Sequence, residues 1–437
     1  MKISPITLCN GRITLPGDKS ISHRAAILGA MAAGSSRITN FSTSADCAST
    51  VSCLEQLGVR FSRESSHLTV EGRPHLGFEN PEQPLYCGNS GSTMRMLAGL
   101  LAGYDSRAVM TGDASLCSRP MTRIIEPLES MGARFESSDG LPPLHIKGAS
   151  TLQPLDYELP VASAQVKSAI LIAGLRARGR TKIVEGLGVT RDHTERMLLW
   201  FGVPLEVVSA NGRGHIAIDG PATFQAKDIN IPGDISSASF LIAAAAMLVG
   251  SHLELAQVGL NPTRTKFLSA LQALGFSVRI SGVNMQCNEP AGQVIVSGTS
   301  AAERRPRAGA NVLSGELIPQ VIDELPLLAV IGSQSAGGLE IRDASELRLK
   351  ESDRIRATVT NLRAMGAKVE ECETGLTVAG PTQLHGARLD SAGDHRIAMA
   401  FTIAALIADS ESEIDGAECV NVSFPNFFEL LESVAVR

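Results

Sequence analysis

One pattern returns along the whole of this chain and constrains its fold more than anything else. A helical apolar stretch ends in Leu, Met or Phe. A glycine follows, then an alternating strand, a turn, and a second short strand closed by another glycine. The copies read CLEQLG-VRF with HLTVEG, PLESMG-ARF with LHIKG, LLWFG-VPLEV with HIAIDG, LQALG-FSVRI with VIVSG, and LRAMG-AKV with LTVAG. Their central glycines, Gly58, Gly132, Gly202, Gly275 and Gly366, lie 74, 70, 73 and 91 residues apart, and FFELLES near the C-terminus is a sixth, weaker copy without the glycine. Glycine just past a helix favours the left-handed conformation that closes the last turn. The period-two stretch after it predicts a half-buried strand, and the return strand a hairpin. A single unit would leave one helix face bare, so the units must pack on one another.

A longer echo divides the repeats in half. Leu15-Pro16-Gly17-Asp18-Lys19-Ser20 is answered by Ile231-Pro232-Gly233-Asp234-Ile235-Ser236, 216 residues later in a chain of 437. The expectation is an α/β protein of two similar lobes with three repeats each, 15–230 and 231–437. Residues 1–14 can pair with either lobe and are assigned to the second. Two matching lobes imply a cleft suited to ligands.

Composition narrows the partners. A charged fraction of 19% beside 44% apolar residues belongs to a folded globular chain. The net charge of −6 argues against nucleic acid as a general partner, yet leaves room for a small anion held by clustered cations. The eight cysteines are scattered, with no C-x-x-C pair and no zinc-like spacing to the histidines, so isolated thiols of a reducing compartment are expected and a metal is not. The first residues, MKISPITLCNGRITL, lack a signal-peptide apolar core, and the longest apolar run, Phe240 to Val249, is half a membrane span. A cytoplasmic protein without membrane partners follows as the expectation.

Several segments carry candidate chemistry. Pro16-Gly17-Asp18-Lys19-Ser20-Ile21-Ser22-His23-Arg24 runs into the apolar helix AAILGAMAAG. Gly17 and Asp18 suit the turn, Ser20 or Ser22 suits the cap, and the free amides beside Lys19 and Arg24 suit a phosphate or carboxylate. Ser20 and Arg24 share a helix face. Gly88-Asn89-Ser90-Gly91-Ser92-Thr93-Met94-Arg95 is a small-residue turn before another helix, where Gly91 would let backbone approach a ligand. Arg119 stands just before Pro120, which fixes the chain. Ala162-Ser163-Ala164-Gln165-Val166-Lys167-Ser168 opens an apolar helix with hydroxyl and amide groups suited to a polyol, and Arg191 is a further anion contact. The second half adds Asp323-Glu324-Leu325-Pro326, Lys350-Glu351-Ser352-Asp353-Arg354 and Asp394-His395-Arg396. Lys350 and Arg354, at i and i+4, would point the same way on a helix. Taken singly, each segment also reads as a capped helix, a loop or a solvated charge ladder.

Together and in this order, PGDKSISHR, GNSGSTMR, RPM, SAQVKSA, KESDR and DHRIAM resemble one family across essentially the whole chain: the 3-phosphoshikimate 1-carboxyvinyltransferases, or 5-enolpyruvylshikimate-3-phosphate synthases. SAQVKSA and TRDHTE look like a bacterial subtype. The resemblance implies two lobes of three βαβαββ repeats each, an inside-out α/β barrel. It implies transfer of the enolpyruvyl group of phosphoenolpyruvate to the 5-hydroxyl of 3-phosphoshikimate, the step before chorismate, with no cofactor and a monomeric enzyme. Lys19, Ser20, Arg24, Ser163, Ala164, Gln165, Arg191, Asp323 and Lys350 would then hold 3-phosphoshikimate. Lys19, Gly91, Arg119, Gln165, Arg354 and Arg396 would hold phosphoenolpyruvate. Asp323 would accept a proton, Glu351 would serve the vinyl carbon, and Lys19 would stand between them.

The chain departs from the family at Met96, where many members have Pro, and at Val422-Ser423-Phe424-Pro425, where many have Lys before the turn. Two other readings stay in play. The sister transferases acting on UDP-N-acetylglucosamine use a loop cysteine five residues before the Arg-Pro pair, where this chain has Ala114, with Cys117 out of register. A non-catalytic anion-binding protein on the same scaffold is the other, against which the carboxylates Asp323 and Glu351 speak.

Overall fold

The repeat glycines stand where helix termination requires them. In a computed structural model, which describes every residue except 65, 66, 75, 76, 187, 211, 301 and 302, Gly58, Gly132, Gly202, Gly275 and Gly366 have φ of 85°, 111°, 83°, 88° and 87°. Each lies two residues beyond a helix: Ala45–Gln56, Thr122–Ser130, His193–Trp200, Lys266–Ala273 and Arg354–Ala364. The glycines that close each repeat do a different job. A Cβ at Gly72, Gly148, Gly220, Gly298 or Gly380 would overlap a carbonyl oxygen at the end of a second, buried helix, so the bare backbone lets the sheet reach that helix.

These second helices are Lys19–Met31, Gly91–Ala102, Ala164–Gly174, Ile235–Met247, Leu325–Ser333 and His395–Leu406, and nearly every residue in them is buried. A helix apolar on all sides must be surrounded by protein, so the sheets and the amphipathic helices form the outside. The sheets share one plan: a short lead strand runs parallel to a second strand, which pairs antiparallel with the far strand of a hairpin. Leu85–Tyr86, Arg107–Thr111, Leu141–Lys147 and Arg134–Ser138 show it, as do Val312–Leu313, Leu339–Ile341, Gly375–Val378 and Val369–Cys372.

The chain forms two compact units, 16–232 with 285–289, and 1–15 with 233–284 and 290–437. Each has its own apolar core. The echoed turns mark strand exchanges. Strand Leu8–Thr14 leads the sheet containing His252–Gly259, but the helix that follows it, Lys19–Met31, belongs to the other unit. Strand Ile229–Asn230 leads the sheet of Ser35–Thr39, and its following helix, Ile235–Met247, lies in the opposite unit again. In the sixth repeat the antiparallel partner of Ser412–Asp415 is Lys2–Ile3, from the far end of the chain. Among the described residues no helix is long and apolar enough to cross a membrane.

Candidate functional site

Several of the candidate residues stand at the N-terminal ends of buried helices, where backbone amides and the helix dipole favour negative charge. Lys19, Gly91 and Ala164 are the first residues of three of them, Asp323 precedes another by two residues, and Arg396 is the second residue of the last.

In the unit of 16–232, the cap of the first helix differs from expectation. Asp18, not Ser20 or Ser22, accepts from the Ile21 amide at 2.9 Å, because the helix begins at Lys19 and Asp18 is the residue just before it. Ser22 instead donates to the Asp18 carbonyl at 2.8 Å and accepts from the Ser42 amide at 3.0 Å. Lys19 pairs with Asp46 at 2.7 Å. Arg24 is 4% exposed and donates to the Ser20 carbonyl at 2.8 Å, to Thr194 Oγ1 at 2.6 Å and to Ser168 Oγ at 2.7 Å. Burial pushes its pKa down to about 10, with Arg191 adding to the fall and Glu195 and Asp18 opposing it, so the guanidinium stays charged at neutral pH. His23 donates to or accepts from Thr50 Oγ1 at 2.7 Å, and burial, then Lys19 and Arg24, hold its pKa well below 6.5.

Gly91 is enclosed by arginines. A Cβ there would lie 2.7 Å from Arg95 Nη1 and 3.7 Å from Arg119 Nη1. Arg119 is buried and donates to Asn89 Oδ1 at 2.7 Å, to the Asn89 carbonyl at 3.2 Å and to Ser115 Oγ at 2.9 Å. Arg95 donates to Gln165 Oε1 at 2.6 Å, and Gln165 donates onward to Ser92 Oγ at 2.8 Å. The sequence reading passed over Arg95; its position four residues after Gly91 on one helix was the available signal. Ser163 caps the Ala164–Gly174 helix through the Val166 amide. Cys117 ends the short helix Ala114–Cys117, and its thiol donates to the Gly112 carbonyl at 3.4 Å.

In the other unit, Arg354 gathers the carboxylates. It is 1% exposed and donates to Asp394 at 2.8 and 3.3 Å, to Glu351 at 2.6 Å and to Asp323 at 3.3 Å. Burial works against its charge, but Asp394, Glu351 and Asp323 outweigh it and hold its pKa above the ordinary arginine value. Asp394 also caps its own helix by accepting from the Arg396 amide at 2.8 Å. Reading DHR as a motif did not expose this second role. Lys350 follows the 3-10 turn Ser345–Leu349 and lies outside the Arg354–Ala364 helix, so its expected i,i+4 relation to Arg354 does not hold. Arg396 is buried, and its Nη1 makes no hydrogen bond, with Glu324 Oε1 at 3.7 Å. Among the described residues no group of three or more His, Cys, Asp or Glu side chains is arranged to hold a metal.

The family model described as EPSP synthase (3-phosphoshikimate 1-carboxyvinyltransferase) matches residues 3–431. A Salinibacter ruber protein named 3-phosphoshikimate 1-carboxyvinyltransferase is 45% identical over 98% of this chain and 97% of its own. A Koribacter versatilis protein of the same name is also 45% identical, over 100% of this chain and 99% of its own. A solved structure of EPSP synthase from Acinetobacter baumannii superposes with a TM-score of 0.85 at 36% identity, covering 100% of this chain and 98% of that one.

Proposed function

This chain belongs to the EPSP synthase (3-phosphoshikimate 1-carboxyvinyltransferase) family, and from that premise we propose how its residues divide the work. It is a transferase of the shikimate pathway that moves the enolpyruvyl group of phosphoenolpyruvate to the 5-hydroxyl of 3-phosphoshikimate. Transfer to a UDP-sugar is not favoured, and Ala114 stands where that chemistry would need a cysteine.

The reaction adds and then eliminates. The 5-hydroxyl oxygen bonds to C2 of phosphoenolpyruvate while the methylene gains a proton. The methyl group then returns that proton as the bond from C2 to phosphate breaks, leaving a vinyl ether and inorganic phosphate. Asp323 takes the hydroxyl proton, Glu351 serves the methylene, and Lys19 supplies positive charge to the reaction. Lys19, Ser20, Arg24, Ser163, Ala164, Gln165, Arg191, Asp323 and Lys350 hold 3-phosphoshikimate. Lys19, Gly91, Arg119, Gln165, Arg354 and Arg396 hold phosphoenolpyruvate, with Arg95 added beside Gly91. Fixed guanidinium forks suit carboxylate and phosphate groups.

One observation carries the assignment: Glu351 and Asp323 share the guanidinium of Arg354, at 2.6 and 3.3 Å. A site built only to bind anions gains nothing from carboxylates, whereas proton transfer needs them. The enzyme is expected to act as a monomer in the cytoplasm. The test is phosphate release with both substrates supplied. Release that requires both is the expected result, and none from folded protein with both substrates saturating would refute the proposal.

A further inference from the structure

Among the side chains of the SAQVKSA and TRDHTE segments that the reaction as described leaves unused are Lys167, Ser168, Thr194 and Glu195. All four are buried. Lys167 Nζ lies 2.6 Å from Glu195 Oε1, and Ser168 Oγ lies 2.6 Å from Thr194 Oγ1. Successive residues of the Ala164–Gly174 helix therefore meet successive residues of the His193–Trp200 helix as two rungs of a ladder. The other ends of the rungs are also tied. Lys167 reaches Glu185 at 2.9 Å, Glu185 accepts from the Thr190 amide at 3.0 Å, and Ser168 Oγ donates to the Ala164 carbonyl at 2.7 Å.

Arg24 docks on the hydroxyl rung, with Nε on Thr194 and Nη2 on Ser168. The protons balance. Ser168 gives its proton to Ala164 and Thr194 gives its proton to Ser168, so both oxygens keep lone pairs for the guanidinium. With Nη1 on the Ser20 carbonyl, three of the five guanidinium N–H bonds are spent on neutral oxygens, which leaves one on each Nη. The division of partners matters. The neighbouring ammonium of Lys167 takes both carboxylates, and although burial opposes its charge, Glu195 and Glu185 raise its pKa. Arg24 is gripped by dipoles alone, so its plane is fixed and no hydrogen-bonded carboxylate competes with an anionic ligand for its charge.

We propose that Thr194 and Ser168 are positioning residues for the 3-phosphoshikimate site, aiming the two remaining N–H bonds of Arg24, and that the Lys167–Glu195 pair holds their helices at the spacing this requires. The inference rests on the reading that Arg24 binds 3-phosphoshikimate. Thr194→Val keeps the shape of the side chain and removes the acceptor. The expected result is a KM for 3-phosphoshikimate raised ~10-fold or more, as for loss of a hydrogen bond to a charged group, with KM for phosphoenolpyruvate and kcat within about twofold. Thr194→Ser restores the acceptor and should return KM to the wild-type value, which a purely packing role for the methyl group would not allow. Ser168→Ala should reproduce the same split, and it carries the test where Thr194→Val does not fold. Arg24→Gln separates the two levels of inference: an unchanged KM for 3-phosphoshikimate in that variant removes the binding role of Arg24. A raised KM there, with wild-type values in both Thr194→Val and Ser168→Ala, overturns the positioning proposal alone.

Discussion

Arg354→Lys keeps a positive charge and removes the fork that distributes it. The guanidinium makes four donor contacts to three carboxylates, two of them to Asp394 and one each to Glu351 and Asp323. An ammonium is a point charge on a flexible stem and cannot hold the bidentate Asp394 pair while reaching the other two carboxylates. Losing about two charge-assisted bonds, at roughly 1.5–3 kcal/mol each, costs ~3–6 kcal/mol, and the retained charge returns part of it. A net loss of about 3 kcal/mol corresponds to roughly a 100-fold fall in kcat/KM if the same geometry holds phosphoenolpyruvate in the transition state. Phosphate release at neutral pH, with 3-phosphoshikimate saturating and phosphoenolpyruvate varied, gives that number directly, and a urea midpoint on the same sample reports the loss of stability. Activity within threefold of wild type, with an unchanged midpoint, would refute the claim that one rigid fork organises the three acids.

The remaining predictions use other groups. Asp323→Asn and Glu351→Gln should each lower kcat by ~10²–10⁴-fold, the usual range for a lost proton-transfer group, while binding of both substrates measured by calorimetry changes far less; wild-type turnover in either would strip that residue of its role. In Gly91→Ala the new methyl displaces the end of Arg95, which is flexible, so stability should change by less than ~1 kcal/mol. The Arg95–Gln165 bond, 2.6 Å in the wild type, is then disturbed, and KM for phosphoenolpyruvate should rise more than KM for 3-phosphoshikimate. His23 supplies a pH test. Its folded pKa lies below its unfolded value of 6.5, so below pH 6.5 the unfolded chain takes up a proton that the folded chain refuses, and stability falls as pH falls. The slope approaches ~1.4 kcal/mol per pH unit, and unfolding free energies from urea titration of His23→Asn should fall about 2 kcal/mol less than wild type between pH 7 and pH 5; parallel losses would contradict the buried neutral ring.

Local chemistry was legible in the sequence, and partners distant along the chain were not. The central glycines could be placed because a left-handed residue after an apolar helix is a property of neighbours, and all five adopt positive φ. The error at the first cap was also local: three oxygen-bearing side chains, Asp18, Ser20 and Ser22, compete for one amide, and spacing alone does not rank them. Arg24 could be marked as an anion contact, but its side-chain acceptors lie 144 and 170 residues away, and no periodicity connects them. Arg354 and Asp394, 40 residues apart, were read as separate motifs for the same reason.

The echoed turn shows how far a repeat can carry an argument about function. Both copies follow a lead strand, and both cap a buried helix with an aspartate, Asp18 in one and Asp234 in the other. The next residue separates them. Lys19 offers an ammonium that pairs with Asp46, whereas Ile235 in the same position is buried and apolar. The serine after it follows suit: Ser236 donates to Glu324 and accepts from Arg264 at 2.7 Å, closing a buried network that ends at Arg396. Backbone geometry is thus common to both turns, while the residue after the aspartate differs: an ammonium paired with a carboxylate in one copy, a buried apolar side chain beside a closed polar network in the other.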